Sequence, residues 1–369
     1  MLVVDTGKSR GFSNGFQRFK RRRRTEEALP FSAFHAEKHT VTADSRRDAQ
    51  VVVFGEPWMT TPPNPANPTA FRGIWPALLT PLKPDLSIDH TRFAAHCKSL
   101  IASCCPGVTA FGTTGEGPSF SMAERKEAIE QLIKNGIAPS QIIVFTSCAA
   151  LPETLELTRH AVNAGVHGCL MLPPFFLKGV SDQGIIDCYR YVIDGLADDR
   201  LKLYLYHIPQ VSGVSLSHPV IATLKKMYPA TILGIKDSAC NTAHSVGLAE
   251  AFMKNLTVYV GYEPDLPEMG RRGSTGAISG LANFMPRVVN RLVTQPDAPA
   301  TLADRERVVK LIGLLDDYSL MPALKGIMAL LSGDQTWLRV RAPLVALTPD
   351  QFKTLEKAIR AFGIDSQSD

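Results

Sequence analysis

The chain has 369 residues, is 45% hydrophobic and 20% charged, and carries a net charge of +5, values of a globular protein with a sizeable core. Residues 1–58 hold 11 Lys/Arg against 7 Asp/Glu, whereas the remaining 311 hold 29 against 28. The body is thus near neutral, and its charge gives no reason to expect a nucleic-acid partner. No apolar run approaches the roughly twenty residues needed to cross a membrane.

Seven cysteines, at 97, 104, 105, 148, 169, 188 and 240, form no C-x-x-C pair. Their odd count and apolar surroundings suit buried thiols in a reducing compartment, and a cytoplasmic protein is expected. The nine histidines show neither H-x-x-H nor H-E-x-x-H spacing, so no metal site is expected.

Residues 1–70 read as a flexible basic leader and a proline-rich linker. Lys20-Arg21-Arg22-Arg23-Arg24 is the densest charge run, and Pro62–Pro68 is rich in proline. A phosphate-binding arm, an organelle transit peptide and an extension without function, or else a translation start at Met59, all fit such a stretch. The last is the reading adopted, because no recognisable nucleic-acid module follows the run.

From residue 74 strand-like and helix-like segments alternate. Residues 74–82 are β-branched and leucine-rich and close on proline; 91–105 have helical spacing at Phe93, Cys97, Leu100 and Ile101. Residues 107–112 are the next strand, before a polar glycine loop. Ser121 and Glu124 form a capping box that opens a helix ending near Asn135 and Gly136. Strands follow at 142–147, 168–173, 201–209, 232–238, 256–262 and 276–281. The helices between them span 152–164, 184–197, 219–228, 242–254 and 266–272. Eight strands each followed by helix predict a parallel sheet with helical crossovers, and eight units favour a closed (β/α)8 TIM barrel. No dinucleotide fingerprint follows the first strand, which argues against an open sheet. After Pro286 the chain reads as helical to about Phe362. The expected division is a leader over 1–70, a barrel over 71–298 and a small C-terminal helical extension over 299–369.

Three strand ends carry unusual polar groups, at the end of a barrel where chemistry is kept. Strand six runs Ile232-Leu233-Gly234-Ile235-Lys236-Asp237-Ser238. A lysine there is most simply a snorkelling surface residue. Held beside isoleucines, however, its amine is desolvated, its pKa falls, and it can attack a ketone to form a Schiff base. Strand two ends in Gly112-Thr113-Thr114-Gly115-Glu116-Gly117, either a capped glycine turn or a cradle of hydroxyls and N–H groups for a carboxylate. Strand five ends in Tyr206-His207-Ile208-Pro209, where a tyrosine is either a core aromatic or a proton relay. Together the three supply what imine chemistry on a 2-oxo acid requires.

At this point the body resembles the Schiff-base pyruvate lyase family of dihydrodipicolinate synthase and N-acetylneuraminate lyase. The likeness spans roughly residues 72–362. It rests on Gly112-Thr113-Thr114-Gly115-Glu116, on Tyr206 three residues before Pro209, on Gly234-Ile235-Lys236-Asp237 and on Gly276-Ala277-Ile278-Ser279, in family order. The resemblance implies an imine between Lys236 and pyruvate, with no metal and no cofactor beyond that covalent lysine imine. It implies that Thr113 and Thr114 hold the carboxylate, with Gly115 a further substrate-binding position, that Thr113 passes protons to Tyr206, and that Tyr206 is the general acid/base. Gly261 and Ile278 become backbone positions lining the pocket. A homotetramer built from dimers is implied, one aromatic of each site reaching in from a neighbouring subunit.

The chain also departs from the pattern. Synthases of the family place an arginine two residues after the proline of the tyrosine motif; here Val211 stands there and cannot make a bidentate contact. The tyrosine pair after strand four is Phe175-Phe176, and asparagine is frequent where His207 stands. In the sialic acid and 2-keto-3-deoxy sugar acid branch an acidic pair binds sugar hydroxyls, and Gly261-Tyr262-Glu263-Pro264 keeps one acid, Glu263. The expected activity is a pyruvate-dependent class I aldolase or lyase joining a 2-oxo acid and an aldehyde, with a 2-keto-3-deoxy sugar acid or relative as substrate. Dihydrodipicolinate synthase, a dehydratase or deaminase using the same imine, and a catalytically silent binding barrel are the alternatives.

Overall fold

The computed structural model describes residues 72–364; the expected leader and linker lie outside the described residues. The strands are β1 Gly73–Pro76, β2 Val108–Ala110, β3 Ile142–Phe145, β4 Gly168–Met171, β5 Leu203–His207, β6 Ile232–Asp237, β7 Thr257–Val260 and β8 Gly276–Ser279. They pair in the order β1-β8-β7-β6-β5-β4-β3-β2, and every one of these pairings is parallel. The two ends of the sheet meet where Ala77 bridges Thr109 and the Leu78 N–H donates to the Thr109 carbonyl at 2.9 Å. The result is a nearly closed TIM barrel, as the alternation of segments predicts.

Each strand is buried along its whole length. Helices cover a parallel barrel on its outside and side chains fill its inside, so the strands read as continuous apolar runs. Large and small residues alternate inside. A Cβ at Gly168 on β4 or at Gly234 on β6 would lie 2.9 Å from the Tyr204 ring of β5, so these two glycines make the room that ring occupies.

The helices outside are α1 His90–Ser103, α2 Met122–Lys134, α3 Leu151–Asn163, α4 Asp182–Leu196, the short α5 Pro209–Ser212, α6 His218–Met227, α7 Thr242–Phe252 and the short α8 Leu266–Arg271. Their starts follow from capping chemistry. The Ser121/Glu124 capping box opens α2 as expected, while Asp89, Ser181, Ser217 and Asn241 accept from the first-turn N–H groups of α1, α4, α6 and α7. On α4 the buried face is Ile185, Ile186, Tyr189, Val192 and Ile193, and each such side chain contributes roughly 1.5–3 kcal/mol of burial.

Two expectations need adjusting. β1 stops at Pro76, short of the expected residue 82; beyond it the chain stays buried and pairs through single bonds, such as Ala77 N–H to the Ser279 carbonyl at 2.7 Å. After Pro286 the chain forms α9 Pro286–Thr294, α10 Pro299–Leu315, α11 Leu320–Ser332 and α12 Pro349–Phe362, but residues 339–348 are not helical. Pro343 lies within that gap, and the residue before a proline is biased out of the helical region. Among the described residues no helix is long and apolar enough to cross a membrane. None of the seven cysteines is in a disulfide.

Candidate active site

β5 and β6 pair so that Tyr206 stands opposite Lys236 and His207 opposite Asp237. Lys236 and Tyr206 are both among the fully buried large side chains. The Lys236 Nζ donates to the Tyr206 hydroxyl at 3.3 Å and lies 4.4 Å from the centre of its ring. Burial brings the Lys236 pKa down to about 7, with the Glu263 carboxylate pulling the other way, so free amine and ammonium are both populated near neutral pH. The Tyr206 hydroxyl also shares a hydrogen bond of 3.2 Å with the Thr113 hydroxyl. Burial pushes the phenol up to about 12, a rise that the Thr113 hydroxyl opposes. Thr113, Tyr206 and Lys236 therefore form a continuous chain of polar atoms.

Residues 111–117, expected as a cradle, form a tight turn between β2 and α2. Phe111 and Glu116 adopt left-handed backbone, at φ of 63° and 56°, conformations that cost of order 1–3 kcal/mol each in a non-glycine residue. The loop closes on itself through Glu116 N–H to the Thr113 carbonyl at 3.1 Å and Gly117 N–H to the Gly112 carbonyl at 3.2 Å. A Cβ at Gly115 would lie 2.6 Å from the Leu78 carbonyl oxygen, and one at Gly117 only 1.7 Å from that of Phe111. The Thr80 hydroxyl holds the Gly115 carbonyl at 2.8 Å. Thr114 is buried, and among the described residues its hydroxyl has no hydrogen-bond partner. A buried hydroxyl without a protein partner suits a site that awaits a polar ligand.

The remaining expected positions converge on the same lysine. A Cβ at Gly261 would meet the Ser238 Oγ at 2.4 Å, the Lys236 Cε at 3.2 Å and the Ile278 carbonyl oxygen at 3.3 Å. The bare backbone of Gly261 thus leaves room for the lysine stem, and the Ile278 carbonyl borders the same space. Glu263 is fully buried, and its Oε1 accepts from the Ser279 hydroxyl at 2.6 Å. Its carboxylate acts on the Lys236 amine and is sequestered from solvent.

Behind the strands lies a second polar cluster. Asp237 accepts at Oδ2 from the Ser245 hydroxyl at 2.8 Å and pairs there with His244 Nδ1 at 3.1 Å, while the Ala239 N–H reaches Oδ1 at 3.0 Å. The His207 Nδ1 accepts from the Leu216 N–H at 3.0 Å. Possible ligand atoms of His207, Asp237 and His244 lie within 4.8 Å of one another. The two imidazoles, however, are stacked, 4.4 Å apart and inclined by 16°, so their in-plane lone pairs run side by side and do not converge. The cluster reads as a hydrogen-bonded brace behind Tyr206 and Lys236. At the mouth of the site Lys178 donates to the carbonyls of Phe175 and Ser212, tying the β4–α4 loop to α5. Phe176 is 77% exposed there and Val211 40%.

Sequence reasoning did not single out Ser238, the Glu263–Ser279 bond or Lys325, whose ammonium forms an ion pair with Glu116 in which both side chains are fully buried. For Lys325 there was a signal, a lone lysine within the apolar run Leu320-Met321-Pro322-Ala323-Leu324-Lys325-Gly326-Ile327. A charge in such a run is buried only if paired.

The description of the dihydrodipicolinate synthetase family matches residues 70–362. An uncharacterized DapA-like lyase of Chloroflexus aurantiacus is 31% identical over 289 residues, covering 78% of this chain and 95% of that protein. The crystal structure of dihydrodipicolinate synthase from Agrobacterium tumefaciens is 33% identical, with a TM-score of 0.75, over 79% of this chain and 100% of that one. A prophage protein of the dihydrodipicolinic acid synthase family from E. coli K12, solved in complex with pyruvate, is 24% identical with a TM-score of 0.72, over 80% of this chain and 99% of that one. At that identity it shares the fold alone.

Proposed function

Because the chain belongs to the dihydrodipicolinate synthetase family, whose members are carbon–carbon lyases, we propose that it is a pyruvate-dependent class I aldolase in which Lys236 forms a Schiff base with a 2-oxo acid. The neutral Lys236 amine attacks the keto carbon of pyruvate, and a proton passes to the former keto oxygen. Loss of water leaves the imine, whose positive nitrogen accepts electrons as a base takes a proton from the methyl carbon, giving an enamine. That carbon then attacks the carbonyl carbon of an aldehyde, the aldehyde oxygen takes a proton, and water releases the product; cleavage runs the same steps backwards. Tyr206 is the group that gives and takes these protons, and Thr113 connects it to the substrate. Thr114 and Gly115 bind the carboxylate, and Gly261 and Ile278 line the pocket.

The single observation that carries this reading is the chain from Thr113 to Tyr206 to Lys236, with links of 3.2 and 3.3 Å, around an amine brought to a pKa of about 7. The family resemblance supports a 2-keto-3-deoxy sugar acid or a relative as the substrate. Synthesis of dihydrodipicolinate is the second reading, supported by the synthases among the relatives. Val211 disfavours it, because a valine at the mouth offers no cation to a second carboxylate. A dehydratase or deaminase would use the same imine. The exposed Phe176 and Leu177 beside the site support assembly with further copies of the chain, as a homotetramer, and seven cysteines without a disulfide support a cytoplasmic setting.

The test is borohydride trapping with pyruvate, read by intact mass and peptide mapping on the wild type and Lys236→Ala. A pyruvyl adduct on Lys236 that the variant lacks is the expected result. A folded wild type that yields no adduct overturns the reading and leaves the silent barrel.

A further inference from the structure

Before its last residue, Ser332, α11 is apolar apart from Lys325, whose side chain has no solvent exposure. Its ammonium pairs with Glu116 of the cradle loop, also fully buried, and donates to the Arg339 carbonyl at 2.7 Å. The second Glu116 oxygen accepts from the backbone N–H of Arg341 at 3.3 Å. The Arg341 guanidinium in turn donates to the carbonyls of Leu86 at 2.9 Å and Ser119 at 3.0 Å, and pairs with Glu124. α11 and the segment that follows it therefore grip the cradle loop, at the residue that follows Thr113, Thr114 and Gly115.

A buried ion pair is a poor device for stability alone, since apolar residues of equal volume serve as well. A loop with left-handed Phe111 and Glu116, by contrast, keeps its shape only if its surroundings over-determine it. Glu116 is both one of those strained residues and the residue that Lys325 holds. Its N–H closes the turn on the Thr113 carbonyl, so a shift of Glu116 carries the threonine hydroxyls with it.

We propose that Lys325 is a positioning residue: through its ion pair with Glu116 it fixes Thr113 and Thr114 in the arrangement that receives the carboxylate of a 2-oxo acid. This rests on the pyruvate reading above. It goes further in making the C-terminal extension part of substrate recognition, through a residue that touches no substrate.

The experiment compares borohydride trapping rates for pyruvate and for acetone, which has the same ketone but a methyl group in place of the carboxylate. Peptide mapping confirms that both adducts sit on Lys236. In Lys325→Met the trapping rate with pyruvate at low concentration is expected to fall at least about 10-fold, the scale of a lost charge-assisted contact, while that with acetone stays within about twofold. A role in the fold alone would lower both rates together, and that result, or an unchanged preference for pyruvate, overturns the inference. Because Lys325→Met leaves Glu116 buried without its partner, Glu116→Gln/Lys325→Met is measured alongside, its folding checked by thermal melting. It is expected to fold and to show the same loss of preference for pyruvate; a wild-type preference in the double variant also overturns the inference. A wild type that traps neither compound marks instead the failure of the imine reading, and the inference falls with it.

Discussion

Tyr206 and Lys236 occupy matched positions on adjacent strands, and the lysine nitrogen lies 3.3 Å from the phenol oxygen with both side chains fully buried. Burial acts on the two in opposite directions, bringing the amine down to about 7 and the phenol up to about 12. At neutral pH the pair can therefore exist as free amine and intact phenol, a nucleophile beside a proton donor. An ammonium facing a phenolate would be neither.

That desolvation implies a stability test. In the unfolded chain Lys236 keeps its proton up to its ordinary value of 10.5, but in the folded chain only to about 7. Between those values the unfolded state binds more protons, so stability rises with pH, and below about 7 the penalty is present in full. At 1.36 kcal/mol per unit it amounts to roughly 5 kcal/mol at most. Lys236→Met, nearly equal in volume, is expected to lose all trapping and yet to be more stable than the wild type by a few kcal/mol at pH 6. The gap should shrink toward pH 10.5. Urea unfolding of both proteins at the two pH values checks this, and a wild type at least as stable at pH 6 contradicts it.

The hydroxyl chain makes a kinetic prediction. Tyr206→Phe keeps the ring packed against Phe145, whose centroid is 6.3 Å away, but removes the proton carrier. General acid–base groups typically contribute 10²–10⁴-fold, and turnover is expected to drop by about that factor while slow trapping on Lys236 persists. Thr113→Val, which breaks the 3.2 Å bond but leaves the phenol, is expected to cost about 10-fold. Because the two hydroxyls act as one unit, the double variant should lose less than the product of the single losses. Rates with pyruvate and a common aldehyde, measured on all four proteins, decide the point.

The parts of this site that were legible in the sequence are those carried by short segments. The Gly112–Gly117 loop, the Tyr206-to-Pro209 spacing and the strand leading to Lys236 each show their polar groups at a strand end within eight residues. The barrel was legible because eight apolar runs alternate with helical periods. What joins distant segments was not. Nothing near Glu116 names Lys325 as its partner, and nothing near Glu263 names Ser279, because the barrel closure and the C-terminal helices bring them together only in three dimensions. His207 was an unexplained departure from the common asparagine until the fold placed its ring on that of His244 and its Nδ1 under the Leu216 N–H. The first strand was read too long because buried irregular chain at 77–82 is as apolar as a strand.

Glu263 offers a test of electrostatics at the amine. Its buried carboxylate favours the charged form of Lys236 and so holds the lysine pKa higher than burial alone would. Glu263→Gln keeps an acceptor for the Ser279 hydroxyl but removes the charge. The Lys236 pKa is then expected to fall below about 7, so that trapping with pyruvate at pH 5.5–6 speeds up relative to its plateau. The acid limb of the pH–rate profile should move to lower pH, and a limb that stays in place or moves upward refutes the assignment.

Gly261 provides the sharpest separation of site from fold. It follows β7, where a methyl group would lie 2.4 Å from the Ser238 Oγ and 3.2 Å from the Lys236 Cε, both side-chain atoms, and 3.3 Å from a backbone oxygen. The serine hydroxyl must turn away and the lysine stem must give by a few tenths of an ångström, so Gly261→Ala pushes on the nucleophile. Its φ is not in the left-handed region, and alanine costs the backbone nothing there. Overpacking of this kind typically destabilises by about 1–3 kcal/mol, an amount that a domain of this size tolerates. Misplacing a reacting group by a fraction of an ångström can cost on the order of 10²-fold in rate. The expected variant is folded, with a melting temperature a few degrees below the wild type, and traps pyruvate on Lys236 at least about 30-fold more slowly. Near-normal trapping in such a variant would show that the lysine stem has room to move, and that the backbone of Gly261 is not what holds it.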